Sequence, residues 1–281
     1  MTSPIRTPRL TSFFLLLSAV LVLSFKGANF QRVVPIQRVV PILYEATTCN
    51  TRDFGEGETN PASHTPTSRP NSSDPRDAIL LKYTIHRCPG GAQGCLISGQ
   101  DWRLFTSGRR YIERNPKFVC GAPSLGSSTR PCVVYSFGSY DDISFEVGLR
   151  EAAPHCEIHV FDIDQVPSSE AQRTYNFTSH RIGLGVRNTS EKSTLESIMK
   201  NLGHSYTTVL KLDIERAEES ILPQLHAVGY YDSSVDQLLV EFHSLKGLKK
   251  GLRLLEEHFQ LVYARKEDRC PTCTEVALVR K

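Results

Sequence analysis

The first 44 residues contain no acidic side chain. Residues 11–25 are almost wholly apolar, with Arg6 and Arg9 before them and Lys26 after them. This run is shorter than the roughly 20 apolar residues that a full membrane span needs. It fits either a cleaved signal peptide or a short signal-anchor whose positive flank stays in the cytosol. Both readings predict that residues 1–26 send the chain to the secretory pathway, as a single-pass membrane protein of the Golgi or endoplasmic reticulum or as a secreted protein.

The rest of the chain lacks a basic surplus. Removing the five basic residues that precede Glu45 takes the formal net charge from +3 to −2. A nearly neutral body without a basic stripe argues against nucleic acid as a partner. The membrane is predicted as a partner only through the N-terminal segment.

Residues 27–76 lack the pattern of a folded domain. Residues 31–42 repeat Gln-Arg-Val-Val-Pro-Ile twice, and the two prolines exclude a regular helix. Residues 50–76 are rich in Pro, Ser, Thr, Asn and Gly, which is typical of a disordered stalk. We therefore predict a stem over residues 27–76 and one globular domain over 77–281, with an N-terminal cap (77–131) and an α/β core (132–281).

The eight cysteines indicate an oxidising compartment. Cys88 and Cys95 lie in a Gly-rich stretch, and Cys270 and Cys273 lie near the C-terminus. Disulfides are predicted; free thiols, or a metal or redox site, are the alternatives, although no second pair has zinc-finger spacing. Three N-glycosylation sequons agree with a lumenal location, and they begin at Asn71, Asn176 and Asn188.

Apolar runs alternate with helical stretches from Cys132 onward. The predicted strands are 133–136, 158–162, a weak one near 181–183, 208–212, 237–242, 261–264 and 275–279, and the cap contributes a short one at 102–105. A capping box at residues 193–196 begins a helix that Gly203 closes, and a leucine stripe over 245–255 predicts another. The last two strands leave no room for a helix and should form an antiparallel hairpin. The pattern predicts a mostly parallel sheet with helices on both faces.

One strand–turn–helix–strand unit points to an adenosine-type ligand. The apolar run after Cys132 enters a turn with Gly138 and Asp142, and the next apolar run ends in Asp162. Such a turn lets the backbone approach a ligand, and the second acid can accept hydrogen bonds from ribose hydroxyls.

Two later strands also end in ionisable side chains. Asp213 and Glu215 follow the run 208–212, and Glu241 and His243 stand at the end of the run 237–242. Ligands of open α/β sheets bind beyond the carboxyl ends of the strands. These side chains should therefore meet at the same edge as the Gly138 turn.

The run Lys211-Leu212-Asp213-Ile214-Glu215-Arg216-Ala217-Glu218 resembles the Lys-x-Asp-x-Glu-Gly-x-Glu motif of FkbM-type methyltransferases. The stretches 134–138, 142–146, 161–162 and 239–243 are similar to related methyltransferase-like proteins of animals. The resemblance implies the seven-stranded, Rossmann-like class I fold that binds S-adenosylmethionine. It implies contacts from the Gly138 turn to the methionine part of the cofactor and from Asp162 to the ribose.

The implied cofactor site comprises Ser136, Gly138, Asp142, Asp162 and Asp213. A base for a hydroxyl or amine acceptor could be Asp213, Glu241 or His243, and the sequence does not rank them. No metal is implied.

The sequence also departs from the family pattern. Ser136 stands where class I enzymes carry an acid, Tyr140 and Asp142 stand where they carry glycines, and Arg216 replaces the Gly of the motif.

The predicted function is methyl transfer from S-adenosylmethionine in the secretory pathway. The acceptor, whether a small molecule, a glycan or a protein, is not specified. One alternative is a non-catalytic secreted or membrane-tethered protein on a methyltransferase scaffold, which Tyr140 and Arg216 favour. The other is a lumenal glycosyltransferase that holds a metal with Asp162 and Asp164.

Overall fold

A computed structural model describes residues 73–97, 117–127, 129–140, 142–267 and 270–281. The predicted N-terminal membrane segment, nearly all of the stem and the cap strand at 102–105 lie outside these residues. Every helix within them is too short or too polar to cross a lipid bilayer.

The described chain contains seven α-helices and eleven strands. The strands are β1 (Gly94–Ile97), β2 (Lys117–Cys120), β3 (Val133–Phe137), β4 (Glu157–Phe161), β5 (Thr178–His180), β6 (Gly183–Leu184), β7 (Lys192–Ser193), β8 (Thr207–Leu212), β9 (Val235–Phe242), β10 (Phe259–Lys266) and β11 (Thr274–Arg280). The helices are α1 (Pro75–Leu80), α2 (Ser144–Ala152), α3 (Ser169–Tyr175), α4 (Leu195–Leu202), α5 (Glu218–Ala227), α6 (Tyr230–Ser233) and α7 (Leu245–Leu255).

Seven of the strands form the central sheet, in the order β10-β11-β9-β8-β3-β4-β5. Strands β5, β4, β3, β8 and β9 run parallel, and β11 is antiparallel to both β9 and β10. The predicted seven-stranded, mostly parallel sheet with a C-terminal hairpin is confirmed. Because β3 lies at the centre of the parallel strands, the turns after β3, β4, β8 and β9 meet at one edge.

Two local predictions differ from the structure. The weak strand expected near 181–183 is replaced by two strands: β5 is an edge strand of the main sheet, and Gly183 and Leu184 pair with β7 in a separate two-stranded sheet. The helix expected to begin with Ser193 as its cap instead has Thr194 as N-cap, and the hydroxyl of Thr194 accepts the N–H of Ser197. Ser193 is held in β7, so its backbone pairs with a strand before the helix begins.

The period-2 alternation of the strands gives the sheet two apolar faces. Tyr135 and Leu210 point to the face packed by α4, α5 and α7. Val134 and Val209 point to the opposite face, which α2 and the β1–β2 hairpin cover. The helices therefore lie on both faces, as predicted.

Disulfides join segments within the cap and segments next to strands of the central sheet. The pairs Cys88–Cys120, Cys132–Cys156 and Cys270–Cys273 are formed, and Cys95 is also disulfide-bonded. The prediction of disulfides is confirmed. The Cys132–Cys156 bond links the residues that precede β3 and β4, the two strands of the predicted adenosine-binding unit.

Gly138 begins the turn after β3 in a left-handed conformation with φ of 78°. A Cβ atom there would overlap the carbonyl oxygen of Asp213, which follows the neighbouring strand β8. Glycine is therefore required by the close approach of two strand ends as well as by the backbone angle.

We expect Gly138→Ala to be more destabilising than Gly203→Ala. Gly203 has nearly the same φ, 76°, but no atom lies within 4 Å of its would-be Cβ. Gly203→Ala should lower the free energy of unfolding by about 1–2 kcal/mol through backbone strain. Gly138→Ala should cost at least about 2 kcal/mol more because the carbonyl group of Asp213 must move. Urea denaturation of both variants tests this, and equal losses would contradict the close approach.

Candidate functional site

A cavity of about 560 Å³ lies at the carboxyl edge of the central strands. The turns after β3, β4, β8 and β9 surround it, as the strand order requires. Its lining includes nearly all the predicted site residues, namely Gly138, Asp142, Asp162, Asp213, Glu215, Glu241 and His243. The structure thus brings together residues that are more than 100 positions apart in sequence.

Ser136 is the one predicted cofactor residue that does not line this cavity. It lies within β3, fully buried, and its hydroxyl donates a 2.5 Å hydrogen bond to Oε1 of Glu146. Glu146 comes from α2 and is itself fully buried. Burial raises the pKa of Glu146, against the opposing effects of the Lys211 charge and the Ser136 hydrogen bond. An acidic side chain therefore lies beside Ser136, but it comes from helix α2 and not from β3.

Asp162 fixes the loops that border the cavity. Its Oδ2 accepts the N–H of Tyr140 at 2.7 Å, and its Oδ1 accepts the N–H groups of Asp164 and Gln165 at 2.9 and 3.0 Å. Tyr140 has a positive φ of 51° and is held in it by this bond. The carboxylate therefore organises the turn after β3 from the end of β4.

Lys117 is a buried cation at the base of the cavity. It lies on β2 of the cap, and its Nζ is 3.2 Å from Asp213, 3.0 Å from Glu241 and 2.5 Å from Glu275. Burial alone would lower the pKa of Lys117, but the charges of Glu275, Asp213 and Glu241 raise it well above its usual value. The amine therefore stays protonated and pairs with acids that follow or lie on three strands, β8, β9 and β11.

The three acids around Lys117 differ in their proton affinity. Burial would raise the pKa of Asp213, but the Lys117, Lys211 and His243 charges lower it to about 2. Burial dominates for the other two, raising the pKa of Glu241 and raising that of Glu275 to about 7. Asp213 is therefore a firmly ionised carboxylate, whereas Glu241 holds a proton more readily.

His243 is a second cation in the same cluster. Its backbone N–H and its Nδ1 both lie against Oε1 of buried Glu218, at 3.1 and 3.2 Å. Its Nε2 faces Asp213, Glu215 and Glu241 at 3.6–3.8 Å. Burial lowers the pKa of His243, but the Glu218 hydrogen bond and the acidic neighbours outweigh it and raise that pKa to about 9. The ring is therefore mainly an imidazolium at neutral pH.

The motif at 211–218 has a structural explanation. Lys211 Nζ donates to the carbonyl oxygen of Gly138 at 2.9 Å and so ties β8 to the turn after β3. Glu215 and Arg216 both have positive φ, 51° and 75°. The position where the resembling family keeps Gly is thus in the left-handed region here too, although it carries Arg. The Arg216 side chain is 69% exposed and does not line the cavity.

The sequence did not assign a site role to Lys117, Glu146, Glu218 or Glu275, although Glu218 is the last acid of the motif at 211–218. Lys117 lies in the cap, whose pattern was poorly readable. The acids at 146 and 275 stand inside an amphipathic helix and a strand, where no sequence spacing connects them to the cavity. Lys211 could have been recognised from the sequence, because a lysine inside a buried strand needs a partner for its charge.

We expect Arg216→Gly to raise the free energy of unfolding by about 1 kcal/mol, because glycine removes the strain of the positive φ. Arg216→Ala is the matched control: it removes the charge but keeps the Cβ atom. Its stability should stay within about 0.5 kcal/mol of the parent. Thermal and chemical denaturation measure both. Equal effects of Gly and Ala would show that the side chain, not the backbone, determines stability at this position.

Solved structures of low similarity were found by comparison of folds. One is a precorrin-6y C5,15-methyltransferase from Geobacter metallireducens, at 9% identity and a TM-score of 0.36, covering 54% of this chain and 80% of that one. Another is M. capricolum TrmK with S-adenosyl-homocysteine, at 12% identity and a TM-score of 0.35, covering 57% and 66%. The fold assignment rests on the strand order given above.

Curated relatives are known in mammals. The chain is 31% identical over 143 residues to "probable methyltransferase-like protein 24" of Rattus norvegicus, which covers 46% of this chain and 38% of the relative. It is 26% identical over 226 residues to the Homo sapiens protein of the same name, covering 67% and 58%. The chain thus spans from about two fifths to three fifths of the length of these relatives. The predicted resemblance to animal methyltransferase-like proteins is confirmed.

A family described as "Methyltransferase domain" matches residues 107–268, which is more than half of the chain. The match runs from the cap, through the Gly138 turn and the motif at 211–218, to the end of β10. The chain belongs to this methyltransferase-domain family.

Proposed function

We propose that this protein is an S-adenosylmethionine-dependent methyltransferase of the secretory pathway, with an acceptor still to be identified. The observation that carries the proposal is the cavity at the carboxyl edge, where the Gly138 turn is tied to Asp162 on one side and to Lys211 on the other. In class I methyltransferase folds, this edge is where the cofactor binds. Bound there, S-adenosylmethionine supplies an activated methyl group on a sulfonium.

The residues present fit such a ligand. The cavity volume of about 560 Å³ falls within the usual range for cofactor sites. Ser139 lines the cavity, and its buried hydroxyl oxygen has no hydrogen-bond partner among the described residues. Buried polar atoms are rarely left unpaired in native proteins, so this atom supports a polar ligand.

The role of each side chain follows from its position. Asp162 would bind the ribose hydroxyls with the lone pairs left beside its backbone contacts. Gly138 and Asp142 would border the methionine part, and Ile163 and Leu184 offer apolar walls for the adenine. A carboxylate-rich cavity also complements a cationic sulfonium.

Among the three candidate bases, Glu241 suits proton transfer best. His243 is already protonated at neutral pH, and the low pKa of Asp213 makes it a weak base. The raised pKa of Glu241 brings it closer to neutrality, where a general base is most effective. Asp213 and His243 would then act by holding Glu241 and the acceptor in place.

The secretory location is supported by the disulfides, which are typical of oxidising compartments. Asn176 and Asn188 of the sequons are exposed at the surface. Asn71 and the N-terminal segment lie outside the described residues.

The glycosyltransferase alternative has less support. Both oxygens of Asp162 already accept backbone N–H bonds, and no group of three or more converging metal-ligating side chains in the described residues includes Asp162 or Asp164. The non-catalytic alternative predicts the same fold with no affinity for the cofactor. A binding measurement therefore distinguishes it from the methyltransferase proposal.

We expect isothermal titration calorimetry to show binding of S-adenosylmethionine and S-adenosyl-homocysteine to the purified protein. Asp162→Asn should weaken both by roughly tenfold to a hundredfold, because a hydrogen bond to a charged group contributes about 1.5–3 kcal/mol. Asp232→Asn, which changes an acid on α6 outside the cavity, is the matched control and should bind like the parent. Circular dichroism checks that each variant is folded.

Absence of binding by the folded parent protein would contradict the proposal and favour a non-catalytic scaffold. Equal affinity of the parent and of Asp162→Asn would support cofactor binding but exclude the contact between Asp162 and the ribose.

A further inference from the structure

Three side chains form a separate cluster at the opposite edge of the sheet. Glu157 is the first residue of β4, His159 follows two residues later on the same face, and His204 lies in the loop between α4 and β8. They stand near the amino ends of the strands, whereas the cavity lies at the carboxyl ends. The cluster is therefore independent of the proposed cofactor site.

The cluster has ligand atoms that converge on one point. Nε2 of His159 is 2.9 Å from Oε1 of Glu157, and Nε2 of His204 is 3.5 Å from Oε2 of the same carboxylate. The three ligand atoms all lie within 4.8 Å of one another. A tetrahedral zinc ion with bonds of about 2.0–2.2 Å needs ligand separations of about 3.3–3.5 Å. Small side-chain adjustments would place all three on one ion.

The other nitrogen of each ring has its own partner. Nδ1 of His204 is 2.7 Å from the hydroxyl oxygen of Tyr135, and Nδ1 of His159 is 3.0 Å from Nε2 of His180. With a proton on each Nδ1, both rings donate outward and keep their Nε2 lone pairs for a metal. Such outer hydrogen bonds fix the tautomer and orientation of metal-binding histidines in known sites.

The burial of the cluster suits an ion that enters from solvent. The side chains of His159 and His204 are 5% and 14% exposed, and that of Glu157 is 59% exposed. The carboxylate therefore forms the open side of the site, where a water molecule could complete the coordination.

The other metal-ligating groups of the described chain are weaker candidates. Two of them include Cys132, Cys156 or Cys273, whose sulfurs are consumed in disulfides. In the third, which consists of His226, Glu257 and His258, both ring nitrogens of His258 already have partners other than Glu257. Its Nε2 lies 3.2 Å from Nδ1 of His226 and its Nδ1 lies 3.2 Å from Oδ1 of Asp232.

We propose that Glu157, His159 and His204 bind one zinc ion, with water as the fourth ligand and with Tyr135 and His180 as supporting partners. The ion would join the start of β4 to the loop before β8. Imidazole and carboxylate ligands in this number are typical of zinc sites that keep an open position.

The test is a calorimetric zinc titration of the full-length protein, purified without a histidine tag and stripped with a chelator. We expect one zinc ion per chain and a rise in melting temperature when zinc is added. Glu157→Gln and His204→Gln should each weaken binding by about a hundredfold or more, and Tyr135→Phe by about tenfold to a hundredfold, because it removes only an outer hydrogen bond.

His226→Gln is the matched control, because it alters the other two-histidine cluster and should leave zinc affinity unchanged. Glu157 is exposed, so its variant keeps the test decisive even if His204→Gln does not fold. No zinc binding by the parent, unchanged affinity in folded Glu157→Gln, or loss only in His226→Gln would each overturn the proposal. None of these outcomes depends on cofactor binding.

Discussion

The ammonium group of Lys117 is the constraint on which the candidate site depends. It comes from the cap and ends among carboxylates on β9, on β11 and just after β8. Each of those acids would be costly to bury alone, since an unpaired charge in the interior is strongly destabilising. The cap is therefore held to the sheet by the same ion pairs that set the charge of the cavity base. The same side chains therefore stabilise the fold and form the base of the site.

Two cations share the acids of the cavity. Lys117 and His243 both lie close to Asp213 and Glu241, and His243 has its own buried partner, Glu218. This arrangement keeps Asp213 ionised while Glu241 retains a higher pKa. One edge of the sheet thus offers both a fixed negative charge and a group able to accept a proton. That pairing is the electrostatic basis of the methyl-transfer proposal.

The sequence predicted the parts of this protein that local pattern controls. Apolar strands followed by Gly138, Asp162, Asp213 and Glu241 were enough to predict the sheet and to place these residues on one edge. The weak strand near 181–183 was misplaced because β5 is short and partly polar. The pairing of β5 with β4 therefore depends on tertiary contacts and leaves no clear alternation of apolar and polar residues in the sequence. Lys117 could not be predicted, because its partners are 96, 124 and 158 residues away. The positive φ of Arg216 is consistent with the Gly that the resembling motif keeps at this position.

The stability of Lys117→Met measures the central interaction most directly. Urea denaturation at pH 7 should show a loss of about 3–5 kcal/mol relative to the parent, because the carboxylates lose their buried partner. Adding Glu275→Met to that variant should restore at least about 1 kcal/mol by removing one of the unpaired acids. A Lys117→Met protein within about 1 kcal/mol of the parent, or a double variant less stable than the single one, would contradict this account.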